Sequence, residues 1–124
     1  MVTREIGSVA FGMPGGESSA AAHARPIDLE HLSRQTIGDR DVEREVLDLF
    51  VHQALAVREA IVSADVAERL RLCHALKGAA RGVGAFPIAD CVGKIETHPD
   101  DAGLIRRLAR LIDEVRDFIA AINR

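Results

Sequence analysis

From Pro26 onward apolar residues recur at spacings of three and four, and no segment shows a persuasive strand alternation, so the pattern predicts helices throughout. Asp28 reads as the N-cap of a short first helix that ends near Gly38. Ile27 ahead of the cap and Leu32 inside the helix are spaced as a hydrophobic staple. Asp39 caps a longer helix through about Val62, with Val42, Val46, Leu49, Phe50, Val57 and Ile61 as its apolar face. Asp65 followed by Glu68 resembles a capping box and opens a third helix that runs to about Gly84. Pro87 suits the first turn of a fourth helix, which carries Ile88, Cys91, Val92 and Ile95 and stops at His98-Pro99. Asp100 or Asp101 caps the last helix, whose stripe is Leu104, Leu108, Leu111, Val115, Phe118 and Ile122. The expected fold is all-α: an antiparallel four-helix bundle with a short additional N-terminal helix.

Ahead of that bundle, residues 1–25 contain Gly12, Gly15, Gly16, Ser18 and Ser19 and then a short alanine run. This composition predicts a flexible N-terminal tail with no core of its own, in which His23 needs no function, and leaves residues 26–124 as the domain. The chain has 124 residues, 48% of them apolar, enough for one domain to build a core without metals or disulfides. With four Phe and neither Trp nor Tyr, that core must be made of Leu, Ile, Val and Ala, which suits helices. The formal net charge of −3 argues against nucleic acid as a partner. Cys73 and Cys91 lack ligand or C-x-x-C spacing and read as buried thiols in a reducing compartment. The first residues lack the apolar stretch of a signal peptide, and no apolar run reaches the roughly 18 residues of a membrane span. A cytoplasmic location is expected, and the polar first turns of the helices fit a monomer.

The stretch that carries chemistry lies in the third helix. At about 100° per residue, Val66, Leu70, Leu72, Cys73, Leu76, Ala80 and Val83 share one broad apolar arc. His74 falls outside this arc, with Gly78 on one side and Lys77 and Arg81 on the other. Lys77 sits at the edge of the arc, where its stem can pack while its ammonium reaches water. A neutral imidazole is a competent nucleophile toward phosphorus, and the phosphoryl group it accepts brings nearly two negative charges. Lys77 and Arg81, one and two turns along the same face, can offset that charge. Gly78 costs the helix up to about 1 kcal/mol relative to alanine, and the close approach of a partner's active site is the compensating reason.

These residues resemble the histidine-containing phosphotransfer (HPt) domains of bacterial multistep phosphorelays. The family pattern of His, an aliphatic residue at +2, Lys at +3, Gly at +4 and Gly near +10 is matched by His74, Leu76, Lys77, Gly78 and Gly84. In helix order and length the similarity covers roughly residues 27 to 122. The resemblance implies that His74 receives a phosphoryl group on Nε2 from a receiver-domain aspartate and passes it to another. It implies receiver domains of response regulators and hybrid histidine kinases as partners. Mg²⁺ and the acidic residues would then come from the receiver, so that this chain needs no cofactor or metal of its own. Family members often carry a Gln in the following helix that hydrogen-bonds the histidine's other nitrogen. Glu96 holds the matching position, where a carboxylate could accept from Nδ1–H and fix the tautomer.

Two other classes compete with a phosphocarrier. A sensor kinase needs an ATP-binding domain with glycine-rich loops, for which there is neither room nor motif. A non-catalytic bundle that docks receiver domains without transferring phosphate fits the composition, but the intact His74, Lys77 and Gly78 speak against it. Gly84 reads as structural, ending the helix or permitting tight packing. His31, His52 and His98 form no metal-like set and read as surface or helix-end filler. Cys73 points into the core arc, about 100° from its neighbour His74, which rules out a paired nucleophile.

Overall fold

The structure is a computed structural model that describes residues 25–123. The tail expected over residues 1–25 lies outside the described residues except for Arg25, as does His23. Five helices follow one another: α1 (Leu29–Thr36), α2 (Arg40–Ile61), α3 (Val66–Val83), α4 (Phe86–Thr97) and α5 (Ala102–Ile122). The described residues contain no strand. Helices α2 to α5 pack in a ring, each against its two neighbours in the order α2, α3, α4, α5, while α1 lies against α2 and α3. With such short connections the ring is an antiparallel four-helix bundle and α1 the additional N-terminal helix.

Four of the five helices begin on an aspartate whose carboxylate accepts from backbone N–H groups of the first turn: Asp28 from His31, Asp39 from Asp41 and Val42, Asp65 from Glu68, and Asp101 from Leu104. Each such cap is worth about 1 kcal/mol. Asp101, not Asp100, opens α5. The capping box at α3 is half made, because the Glu68 carboxylate pairs with Arg71 instead. Helix α4 has no side-chain cap, and Pro87 in its first turn removes one N–H that would need a partner.

The staple pair Ile27 and Leu32 is fully buried and ties α1 to the bundle. Between α1 and α2 two successive residues adopt left-handed backbone, Ile37 at φ 55° and Gly38 at φ 72°. Helix α1 therefore ends one residue earlier than Gly38 suggests, on a β-branched residue whose side chain is 93% exposed.

Some face assignments are corrected by the structure. Helix α2 buries Leu47, Phe50, Ala54, Val57 and Ile61, while Val42 and Leu49 are exposed. Val42, Val66 and Ile122 keep the apolar period but lie at helix ends that run past the core. Leu49 fails for another reason. It is one position off the buried row, which continues from Phe50 through the fully buried Ala54. In α5 the row continues through Ile112 and Ile119, which the sequence stripe leaves out.

His31 is not surface filler. Its ring packs edge-on to Phe86 at a centroid distance of 5.2 Å, and its Nε2 is buried without a hydrogen-bond partner among the described residues. His52 and His98 stay at the surface and make local contacts, to the Asp48 carbonyl and the Thr97 hydroxyl.

Candidate functional site

Helix α3 is anchored by Cys73, Leu76 and Ala80, all fully buried. His74 follows Cys73 by one step, about 100° around the helix, and that rotation carries it from the core to the surface. Its side chain is 82% exposed. A cleft of about 350 Å³ lies away from His74, lined by Leu29, Leu32, Arg40, Leu47 and Ile122 where α1, α2 and the end of α5 meet.

One edge of the imidazole is occupied. His74 Nδ1 lies 3.6 Å from Glu96 Oε2 on α4, slightly beyond hydrogen-bond length. The other oxygen, Glu96 Oε1, accepts from the Lys77 ammonium. Lys77 and Glu96 are 21% and 20% exposed, so this pair seals the seam between α3 and α4 beneath the histidine. The Lys77 ammonium is thus engaged by a carboxylate, where the helix wheel had it reaching water. With Nδ1 turned to Glu96, Nε2 faces away from the bundle.

The structure brings His74, Lys77 and Glu96 together. Gly78 is one turn on, and a Cβ built there meets no described atom within 4 Å. Arg81 is exposed two turns from His74, with no ion pair among the described residues. Two positions were missed by sequence reasoning. Gly82 on α3 and Gly93 on α4, three residues before Glu96, also have open space where a side chain would stand. A glycine inside a helix costs about 1 kcal/mol, and that cost was the available signal.

The buried thiols take no part. Burial first, and the Glu96 carboxylate next, push the Cys73 thiol up to about 11, so it stays protonated. Burial likewise raises Cys91. Among the described residues no three His, Cys, Asp or Glu side chains come together as a metal site, and no helix is long and apolar enough to cross a membrane.

The arrangement is a solvent-facing nucleophile on the exposed face of a helix. Such a group acts on something that a partner's surface brings to it. A family model for the Hpt domain matches residues 39–118, from the cap of α2 into the last turns of α5. No curated protein and no solved structure matches the chain. Covering about two thirds of the sequence and all four helices of the ring, the match shows that the chain belongs to the Hpt domain family, which serves phosphotransfer in two-component relays together with receiver domains.

Proposed function

We propose that this protein is a phosphocarrier that shuttles a phosphoryl group between receiver-domain aspartates in a bacterial multistep phosphorelay, with His74 Nε2 as the atom that holds it. The observation that carries this reading is the exposed mid-helix histidine, whose Nδ1 faces Glu96 at 3.6 Å and which is flanked by the bare Gly78. In the transfer, the Nε2 lone pair attacks phosphorus of the aspartyl phosphate. The N–P bond forms, the bond between phosphorus and the acyl oxygen breaks, and the aspartate leaves as a carboxylate. The receiver supplies the acidic cluster and Mg²⁺. This chain supplies the nucleophile, the bare helix face at Gly78 beside it, and Arg81, exposed and without an ion pair among the described residues, as a cation for the phosphoryl charge. Glu96, whose carboxylate faces Nδ1 at 3.6 Å, favours the tautomer that keeps the proton on Nδ1 and the lone pair on Nε2. We further propose that the protein works as a cytoplasmic monomer whose first 25 residues are a tail to the domain.

The test is intact mass after incubation with phosphoramidate, on the wild type and on His74→Gln, before and after brief acid treatment. One acid-labile phosphate on the wild type and none on the variant is the expected result. An unmodified wild type, or an adduct that survives the substitution, would leave a bundle that docks receivers without transferring phosphate.

A further inference from the structure

The two halves of α5 treat their arginines differently. In the second half, Arg116 pairs with Asp113 and Asp117, and Arg58 reaches Asp113 from α2. In the first half, Arg106, Arg107 and Arg110 are exposed and form no ion pair among the described residues. Arg106 and Arg110 stand four residues apart and Arg107 and Arg110 three apart, the spacings at which like charges on a helix repel. Asp113, one turn beyond Arg110, is already engaged by Arg58 and Arg116. No acidic residue occupies the first turn of α5, although α1, α2 and α3 each place acid there.

Helix α4 brings a fourth cation to the same seam. Cys91, buried where α4 meets α5, donates to the Leu104 carbonyl at 3.5 Å. Burial raises that thiol, and Arg107, Lys94 and Arg110 all pull it back, so their three charges act on one place. Lys94 is exposed and, like the arginines, has no ion pair among the described residues. Asp90 on α4 and Glu114 on α5 are the acidic neighbours, outnumbered by the cations. Lys94 stands two residues before Glu96, about 200° around α4. The basic seam therefore lies on the side of α4 away from the carboxylate that faces His74.

We infer that the α4–α5 seam is a second docking surface, which takes a short carboxylate-rich segment of a partner protein. It does not depend on the chemistry at His74. In a chain of formal net charge −3 the seam is a local exception, and an acidic segment is the partner its charge complements. All but Lys94 are arginines, whose planar guanidinium groups hold carboxylates through paired N–H donors. The surroundings limit the length of the anion. The other neighbour of α5 in the ring is α2, whose exposed Asp41, Glu45 and Asp48 repel a polyanion or an anionic bilayer that extends past the arginines. Nucleic acid needs phosphate contacts over a broader basic surface than this. A partner held here leaves His74 open, so docking and phosphoryl transfer can proceed on one molecule together.

The probe is a short oligoglutamate peptide with blocked ends, titrated into the ¹⁵N-labelled full chain at low and at physiological salt. Amide shifts are expected to move in the second half of α4 and the first half of α5, and to stay in place around His74. Arg107→Glu/Arg110→Glu should weaken binding by about tenfold or more. The control is Arg40→Glu/Arg44→Glu, the same charge change on another exposed pair one turn apart, set on α2 among Asp39, Asp41 and Asp48. It should leave the affinity for the peptide within about twofold of wild type, and melting curves check that both variants fold. Equal losses in the two variants would mean that the peptide answers to net charge alone, and overturn the site. Tighter binding of a single-stranded oligonucleotide or of phosphatidylserine vesicles than of the peptide overturns the acidic segment as the occupant. A peptide that blocks phosphoramidate labelling of His74 overturns the separation of the two surfaces, and no binding at low salt overturns the surface altogether. Should phosphoramidate fail to label the wild type, the phosphocarrier reading falls while the amide shifts still decide this one.

Discussion

Helix α3 carries two cations of similar burial, Arg69 and Lys77, and two glycines mark its middle and its end, Gly78 within the helix and Gly84 as its C-cap; the pair at the ends differs from the pair in the middle. Arg69, 16% exposed, spends its guanidinium on backbone carbonyls: Nε donates to Ile61, Nη2 to Val62 and Nη1 to Pro99, each at 2.9 Å. Lys77, 21% exposed and two turns further on, pairs with one carboxylate that in turn faces a histidine. Gly84 closes the helix against another part of the chain, whereas Gly78 faces open space. Residue type does not distinguish the members of either pair. What separates them is where their partners lie. The ends of α3 hold the bundle together, and in its middle His74 and Gly78 face solvent.

The sharpest way to break this contrast is at Arg69. Its three acceptors belong to the end of α2 and the loop between α4 and α5, so one side chain closes an entire end of the bundle. The Asp100 carboxylate at 3.9 Å is well exposed and adds little. Arg69→Ala is expected to cost about 3 kcal/mol, because hydrogen bonds from a charged donor are among the stronger ones and the last carbonyls of α2 lose their cap. A melt should show a fall of the order of 10 °C or more for a domain of this size. Below that melt the variant should still accept a phosphoryl group on His74. A melting curve equal to wild type would show that water serves those carbonyls as well as arginine does.

Gly84 comes next. Its φ of 87° is left-handed, and a Cβ there would stand 2.8 Å from the Asp28 carbonyl oxygen. The same junction is closed by the Asp28 N–H donating to the Gly84 carbonyl at 2.9 Å. Gly84→Ala should cost about 2 kcal/mol, the sum of a left-handed alanine and an overlap relieved by moving Asp28. Since Asp28 caps α1, the loss should concentrate there. Hydrogen exchange should quicken in α1 well before it does in α3. Uniform loss of protection across the bundle would mean that α1 is not a separable unit.

Most of the fold could be read in advance because its signals are local. The four capping aspartates act within three residues of themselves, and so the helix starts at Asp28, Asp39 and Asp65 stood out in the sequence. His74 stood out for a similar reason: an apolar arc on one helix says which residues lie outside it. The resemblance to the Hpt family rested on that same local pattern, and the family match over residues 39–118 agrees with it. Arg69 was invisible because its acceptors are backbone carbonyls up to 30 residues away, and every residue has one. The Lys77–Glu96 pair was half visible. Each residue could be placed on its helix, but whether the ammonium turns to water or to α4 depends on how closely α3 and α4 pack. Leu49 misled because α2 is long enough for two adjacent rows to look apolar, and only the neighbouring helices decide which one is buried.

Gly78 gives the smallest effect on stability and the one of opposite sign. Nothing described lies within 4 Å of a Cβ built there, and the backbone is ordinary helix. Gly78→Ala should therefore stabilise the bundle by about 0.5–1 kcal/mol, since alanine loses less freedom on entering a helix. Gly78 is exposed and its Cβ direction is open, so Gly78→Leu should also fold and melt at or above the wild-type temperature. Its effect should appear only when a second protein arrives. Phosphoramidate, too small to touch the new side chain, should modify His74 in Gly78→Leu at the wild-type rate. A phosphorylated receiver domain, which must bring its aspartate to Nε2, should transfer more slowly by tenfold or more, the loss expected from about an ångström of misplacement or a little over 1 kcal/mol. The two donors together isolate the surface from the chemistry. Equal slowing with both would mean that the leucine disturbs the histidine itself. Normal rates with both would mean that the bare surface beside His74 is not where the receiver comes in, and that the glycine in the middle of α3 has yet to be explained.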